Sequence, residues 1–239
     1  MTDEATRILD LSSLTFEQFV EFFFARVPVP DDRQYDYFMQ DLSGQKFDEA
    51  EPSAPSVIVD HMTRLFTEFG RIAPRYSLAQ LDQGVWGILG ANLRLHELLW
   101  DCSIPQELRI QCIRSMYSVF ADFVAASEVG EKENGFYMWW DLILHTFWVD
   151  QTYERKLPSD NYELLAEDAR NLLDAMFETL VKVLKVDDER AKSSALHGLG
   201  HLQHPGVRAV VQAYIDAQPP GLAPDTLKWL EGCRDGKIM

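Results

Sequence analysis

Hydrophobic residues recur three or four positions apart along most of the chain, which is the period of an α-helix, and almost no segment alternates with the period of two typical of strands. In residues 105–126 the apolar positions occupy about half of the helical wheel. In residues 136–149 apolar side chains surround nearly the whole circumference. The pattern predicts an all-α protein in which residues 136–149 form the central buried helix.

Start and stop signals divide the chain into helices. Thr15 with Gln18 and Ser77 with Gln80 are capping boxes, and residues 103–106 repeat the signal with a proline at the first turn. The predicted helices cover residues 15–26, 56–70, 77–100 with a break near Gly90, 105–126, 136–149, 162–185, 188–203, 205–217 and a short stretch after residue 224. Their short connections predict antiparallel neighbours.

Residues 28–55 interrupt the helical pattern. This stretch is acidic and irregular, and its Ser43-Gly44 step is typical of a short hairpin. We expect residues 1–55, the first helix plus this acidic segment, to pack on the same domain as residues 56–239.

Residues 188–217 have a signature of their own. A first helix carries the pattern Ala-Leu-x-x-Leu-Gly-x-Leu from Ala195, a His-Pro-Gly turn follows, and a second helix carries Val-x-x-Val-Val-x-x-Tyr-Ile from Val207. The small Gly198 and Gly200 permit close approach of a neighbouring helix. This segment resembles a HEAT or armadillo-type repeat. The resemblance implies a short α-solenoid of stacked helix pairs that binds another macromolecule, often a protein, and it implies no catalytic residue.

The charge of the chain narrows the choice of partners. The 22 Lys and Arg residues stand against 38 Asp and Glu residues, a net charge of −16. Nucleic acid is therefore an improbable ligand, because binding to phosphate backbones depends on Lys and Arg. The first 60 residues hold 13 acidic against 4 basic residues, whereas residues 186–239 hold 7 against 6.

A partner that meets the acidic N-terminal region would itself be basic. The candidate surface consists of Asp31, Asp32, Asp36, Asp41, Asp48, Glu49 and Glu51. The alternative is a solvated loop without a partner.

No basic leader with an apolar run and no stretch of eighteen uncharged apolar residues occurs in the sequence. The 3 cysteines lack the spacing of a disulfide framework or a zinc ribbon. We therefore expect a cytoplasmic protein that does not insert into a membrane.

Three histidines are a candidate metal site. His197, His201 and His204 lie within about 60° of one helical face, opposite the leucine stripe. Three exposed imidazoles can hold zinc with a fourth position left for water. The alternative is that they face solvent or stabilise the helix end.

Two further clusters have competing interpretations. A ligand pocket would be lined by the aromatic segment 136–140, which includes Trp139 and Trp140, together with His145, Phe147 and Trp148. The alternative is that these residues form core. The glycines Gly84, Gly87 and Gly90 in a helical stretch predict close helix packing, because no strand precedes them as a phosphate-binding loop requires.

The sequence contains no nucleophile elbow, phosphate-binding loop, HExxH or EF-hand motif, so it predicts no catalytic residue and no cofactor. The favoured function is non-enzymatic protein–protein interaction, as a scaffold, adaptor or inhibitor. The alternatives are a metal-dependent enzyme that uses the histidine face and a small-molecule binding protein with a Trp-lined pocket. The oligomeric state stays open.

Overall fold

The computed structural model confirms an all-α fold over the part of the chain that it describes, residues 7–29, 38, 40–41, 43–47, 49–50, 52–90, 93–130, 132–149 and 162–238. The α-helices there are α1 (Phe16–Phe24), α2 (Pro55–Thr67), α3 (Phe69–Ile72), α4 (Leu78–Leu89), α5 (Gln106–Ser118), α6 (Trp139–Val149), α7 (Glu167–Val183), α8 (Glu189–Leu202), α9 (Val207–Asp216) and α10 (Pro224–Asp235). Two short strands, β1 (Ile8–Leu9) and β2 (Glu49–Ala50), pair in parallel. Within the described residues, none of the helices has the length and apolar content needed to cross a membrane.

Two of the three predicted capping boxes are confirmed. The Thr15 hydroxyl accepts the backbone N–H of Gln18 at 3.4 Å, and the side-chain Oε1 of Gln18 accepts the Thr15 N–H at 2.9 Å. The same reciprocal bonds join Ser77 and Gln80 at 3.3 and 3.0 Å. These pairs satisfy N–H groups that a helix start leaves unbonded.

The third predicted cap is wrong. The helix begins at Gln106 after an extended Pro105, and no side chain caps it. The Ser103 N–H instead donates to the Asp101 carboxylate at 2.8 Å. The Ser103 N–H, which a capping box would bond to the Gln106 side chain, is thus bonded to Asp101 in an aspartate turn.

Two of the long predicted helices, 77–100 and 105–126, depart from a regular α-helix in the structure. The break near Gly90 is confirmed, because α4 ends at Leu89 and a 3-10 helix, Leu95–Leu99, follows Arg94 at φ +52°. Residues 105–126 form a continuous but irregular helix. After α5 the chain makes one π-turn, Val119–Phe123, and one 3-10 turn, Val124–Ala126.

Helix packing joins distant parts of the chain into one core. Helix α1 packs on α4, and α5 lies between α2 and α7. Helix α8 contacts α6, α7 and α10, and α9 packs on α10. Phe24 near the N-terminus and Leu199 in α8 are both fully buried in the same cluster. The first helix is therefore part of the hydrophobic core.

Glycines stand where these packed elements come closest. A Cβ on Gly84 would lie 2.2 Å from Cδ1 of Phe24, and one on Gly198 would lie 2.6 Å from Cβ of Trp140. Such distances are far inside van der Waals contact. The prediction of close packing is confirmed at Gly84 and Gly198, whereas a Cβ on Gly90 would first meet the Trp86 carbonyl of its own helix.

The segment before α2 is tied to the rest of the fold. An antiparallel bridge between Gln40 and Lys46 encloses the turn at Ser43 and Gly44, where Gly44 has φ +82°. Phe47, just after this turn, is buried. The predicted hairpin position agrees with this turn, while residues 35–37 and 39 lie outside the described part of the chain.

Candidate functional site

A cleft of about 450 Å³ opens between residues 120–137 and the first turn of α8. Apolar side chains form its floor, namely Phe120, Val124, Val129 and Phe136. Its rim is polar, formed by Glu133, Asn134, Tyr137, Glu189, Arg190 and Ser193. Its volume falls in the range of ligand-binding pockets, roughly 300–1,000 Å³.

The π-turn determines which side chains face this cleft. The Val124 N–H is shared between the Phe120 carbonyl, four residues earlier as in an α-helix, and the Val119 carbonyl, five residues earlier. One additional residue per turn rotates the side chains that follow by about 100°. Single π-turns within α-helices are frequent at functional sites. Here Phe120 lies in the π-turn and Val124 directly after it, and both line the cleft.

Arg190 is the cation of the rim, and its donors are all used within the protein. Its Nη1 donates to the carbonyls of Ser127 and Val129 at 2.7 and 2.9 Å. Its Nη2 donates to the Val124 carbonyl and to Asp188, both at 2.8 Å. Its Nε also bonds to Asp188, at 3.2 Å. A guanidinium has five N–H groups, so Arg190 has none left for an anionic ligand.

A shallower depression continues the cleft, because both are lined by Tyr137 and Ser193. The depression adds Asp225, Thr226 and Trp229 from α10. We call the cleft and the depression together the acidic groove. Burial raises the pKa of the Tyr137 phenol, so this hydroxyl stays protonated at neutral pH.

The carboxylates of the acidic groove are Glu133, Glu189 and Asp225. Glu133 Oε2 accepts the Gly130 N–H at 2.9 Å, which fixes that side chain at the rim. Glu189 is mostly exposed and binds Lys192 at 2.8 Å. With Arg190 internally bonded, the groove offers acceptors and negative charge to a ligand. This chemistry suits a cationic group attached to an apolar body.

The structure separates one member of the predicted histidine site from the other two. Gln203, at φ +53°, ends α8 and turns the chain before His204. The His204 Nδ1 accepts the Gly206 N–H at 3.0 Å, so its Nε2 carries the proton donated to Asp174 at 3.0 Å. Its ring stacks on Phe177. His204 therefore stabilises the turn after α8, which is the alternative interpretation.

His197 and His201 do come together. Their Nε2 atoms are 3.3 Å apart, and the His201 Nδ1 lies 3.4 Å from Asp141 Oδ1. The expectation that all three imidazoles are exposed is wrong for His197, which is buried and stacks on Tyr137. It is buried because α6, α7 and α10 surround α8. Burial first, and the charge of His201 second, lower the pKa of His197 to about 4.

The predicted three-histidine metal site is not formed. Across the described residues, no group of three or more His, Cys, Asp or Glu side chains is arranged to hold a metal ion.

Trp139 and Trp140 belong to the core and do not line the acidic groove. Both are at most 1% exposed, and their rings pack on Phe120. The prediction of a pocket at these two residues is replaced by its alternative. The side chains of His145 and Trp148 lie outside the described residues.

The predicted acidic surface falls mostly outside the described residues, which exclude Asp31, Asp32, Asp36, Asp48, Glu51 and the Glu49 side chain. Asp41 is described, and it closes a turn. Its carboxylate accepts the Ser43 hydroxyl at 2.6 Å and pairs with Arg7. The Ser43 bond is the first cause of the strongly lowered pKa of Asp41.

Sequence reasoning missed the groove residues Glu133 and Trp229, whereas Phe136 and Tyr137 belong to the aromatic segment that it proposed as a pocket lining. The nearest signal was the polar segment that precedes the all-round apolar α6. That segment gives no indication of contact with α8 and α10. Comparisons with protein-family models, curated proteins and solved structures find no match to this chain.

Proposed function

We propose that the protein is a non-enzymatic binding protein of the cytoplasm that holds a basic segment of another protein in the acidic groove. One observation carries the proposal: the groove combines an apolar floor with three rim carboxylates, of which Glu189 is paired with Lys192, while the cation that lines it, Arg190, is bonded internally. A Lys or Arg side chain would lie near Tyr137 and Trp229, whose rings attract cations.

The net charge of the chain supports the same partner. With −16 overall, a basic partner is attracted over distance, which raises the association rate at low salt. An acidic partner would be repelled. The proposed complex should therefore weaken as ionic strength rises.

The proposal includes a HEAT-like stacking of the C-terminal helices. Helices α7 to α10 pack on their neighbours in sequence, in keeping with a repeat unit. Gly200 supports it as well, because a Cβ there would lie 2.5 Å from the Ile238 side chain. The acidic groove crosses one edge of this unit, at the starts of α8 and α10.

The test uses three sets of synthetic peptides that have the same aromatic and aliphatic residues. The first set carries Lys and Arg, the second carries no charged residue, and the third carries Asp and Glu. We expect saturable binding of basic peptides only, with an affinity that falls as salt is added. The variant Glu133→Gln with Asp225→Asn should weaken binding by about tenfold or more.

The matched control is Glu178→Gln with Asp216→Asn, which removes two carboxylates from other surfaces. This control should bind like the unmodified chain. The proposal is overturned if no basic peptide binds, if the three sets bind equally, or if both variants lose affinity alike.

A further inference from the structure

His197 and His201 are one turn apart on α8, and their Nε2 atoms lie 3.3 Å apart, a distance that suits two ligands of one metal ion. Zinc binds histidine nitrogen at about 2.0–2.1 Å, so two nitrogens of a tetrahedral zinc site are about 3.3–3.4 Å apart. The pair therefore already has the separation of two ligands of one tetrahedral ion. Histidines at i and i+4 on a helix are a recurrent zinc-binding arrangement.

A carboxylate lies beside the outer ring of the pair. Asp141, in α6, places Oδ1 3.4 Å from the Nδ1 of His201. Imidazoles that bind metals almost always direct their second nitrogen to a carboxylate, carbonyl or water, which fixes the tautomer and leaves the other nitrogen as the ligand. Here that remaining nitrogen is Nε2, which without metal accepts a hydrogen bond from the His197 Nε2. An ion bound by both nitrogens would take the place of this proton, which would move to the Nδ1 of His197.

The inner ring is held by packing. The Tyr137 ring stacks on His197 with centroids 4.4 Å apart and planes 24° from parallel. His197 is 2% exposed, so its ring has little freedom to turn away. Two restrained rings lose less conformational entropy on binding an ion than two free side chains would.

Solvent can reach the pair from the side of His201, whose side chain is 24% exposed. Because the described residues provide no third metal-binding side chain, water would complete the coordination. Zn²⁺ suits such a site, since its filled d shell imposes no geometry and imidazole is among its preferred ligands.

We propose that His197 and His201 form a two-histidine Zn²⁺ site, with Asp141 as the residue that positions His201. The site shares Tyr137 with the acidic groove, but it uses neither the carboxylates of the groove nor its basic partner. It also differs from the three-histidine site, because His204 has no part in it.

The test is equilibrium dialysis of untagged full-length protein against ZnCl2 after treatment with a chelator. We expect one zinc ion per chain. The variant His201→Gln should lose this binding, and Asp141→Asn should weaken it by roughly 10–100-fold. The matched control His204→Gln removes a nearby histidine and should bind as the unmodified chain does.

Circular dichroism of each variant shows whether it folds. If His201→Gln does not fold, electron paramagnetic resonance of the unmodified chain with one equivalent of Cu²⁺ decides the matter, and coupling to two imidazole nitrogens is expected. The proposal is overturned by the absence of saturable zinc binding, by retained binding in folded His201→Gln, or by a copper signal with fewer than two coupled imidazoles.

Discussion

Arg109 in α5 and Asp168 in the first turn of α7 form a two-pronged ion pair, with Nη1 2.8 Å from Oδ2 and Nη2 2.6 Å from Oδ1. Arg109 is almost completely buried, and its Nε donates to the Ile104 carbonyl at 3.0 Å. The guanidinium therefore joins two helices and the loop before α5. Such bidentate pairs are among the strongest hydrogen-bonded contacts in proteins.

Asp168→Ala should lower the free energy of unfolding by roughly 2–3 kcal/mol, because it leaves the buried Arg109 charge without its partner. This value is below that for a fully buried pair, since the Asp168 side chain is 32% exposed. Urea denaturation measures the change.

The same two helices supply the control. Arg114 and Glu178 also pair across α5 and α7, at 3.1 Å, but both are 54% exposed. Glu178→Ala should cost less than about 1 kcal/mol. Equal losses in the two variants would contradict the dominant role of the Arg109 pair.

Asp168 should also make stability depend on pH in the acid range. The hydrogen bond from Arg109 is the first cause that holds the pKa of Asp168 below its ordinary 3.8. The contribution of this carboxylate is therefore complete above pH 3.8 and is lost as pH falls through the lowered pKa. The stability difference between the unmodified chain and Asp168→Asn should shrink over that window. A difference that stays constant would show that the pair does not titrate as described.

His96 should make the stability of the fold depend on pH at higher pH than Asp168 does. Burial first, and the charge of Arg94 second, lower its pKa to about 4 from an ordinary 6.5. A histidine that is neutral when folded stabilises fully above pH 6.5 and progressively less as pH falls towards 4, because the unfolded chain takes up the proton first. We expect a loss of roughly 1–3 kcal/mol across that window. His96→Gln should flatten this part of the profile in urea denaturation, and an unchanged slope would exclude His96 as the cause.

Gly198→Ala should destabilise the fold by about 1–3 kcal/mol. Alanine favours a helix by about 1 kcal/mol, but its Cβ would meet Trp140 at 2.6 Å and Leu180 at 2.9 Å in the core. The control is Gly232→Ala in α10, where the nearest atom is a methyl of Ile238 at 3.3 Å. Its effect should stay within about 1 kcal/mol. Thermal unfolding of both variants tests the comparison, and a neutral Gly198→Ala would refute close packing there.

The helices were predictable because their signals are local. Thr15 and Ser77 cap helices through bonds to residues three positions away, and the 3.6-residue period requires only one strip of sequence. A local signal fails where two residues compete for one backbone group. Asp101 accepts the Ser103 N–H that the predicted capping box would have bonded to Gln106. Local signals also fail at the π-turn, because the apolar pattern runs unbroken across it.

The groove and the burial of His197 were not predictable in this way. Both arise from contacts between segments far apart in sequence. Tyr137 meets Trp229 only in the folded chain, and His197 lies inside because several helices close around α8. The periodicity of α8 places its leucines on one face and gives no sign that the opposite face is covered too.

The π-turn Val119–Phe123 contains one residue more than an α-helical turn, and it lies between two places where hydrogen bonds fix the helix to other segments. Before the π-turn, the ion pair between Arg109 and Asp168 fixes the helix to α7. After it, the Arg190 guanidinium donates a hydrogen bond to the Val124 carbonyl. Because the helix is held on both sides of the π-turn, we expect the register of Phe120 and of the residues after it to be fixed. Two arginines whose guanidinium donors are engaged inside the protein thus support the shape of the groove, Arg190 from its rim and Arg109 from outside it.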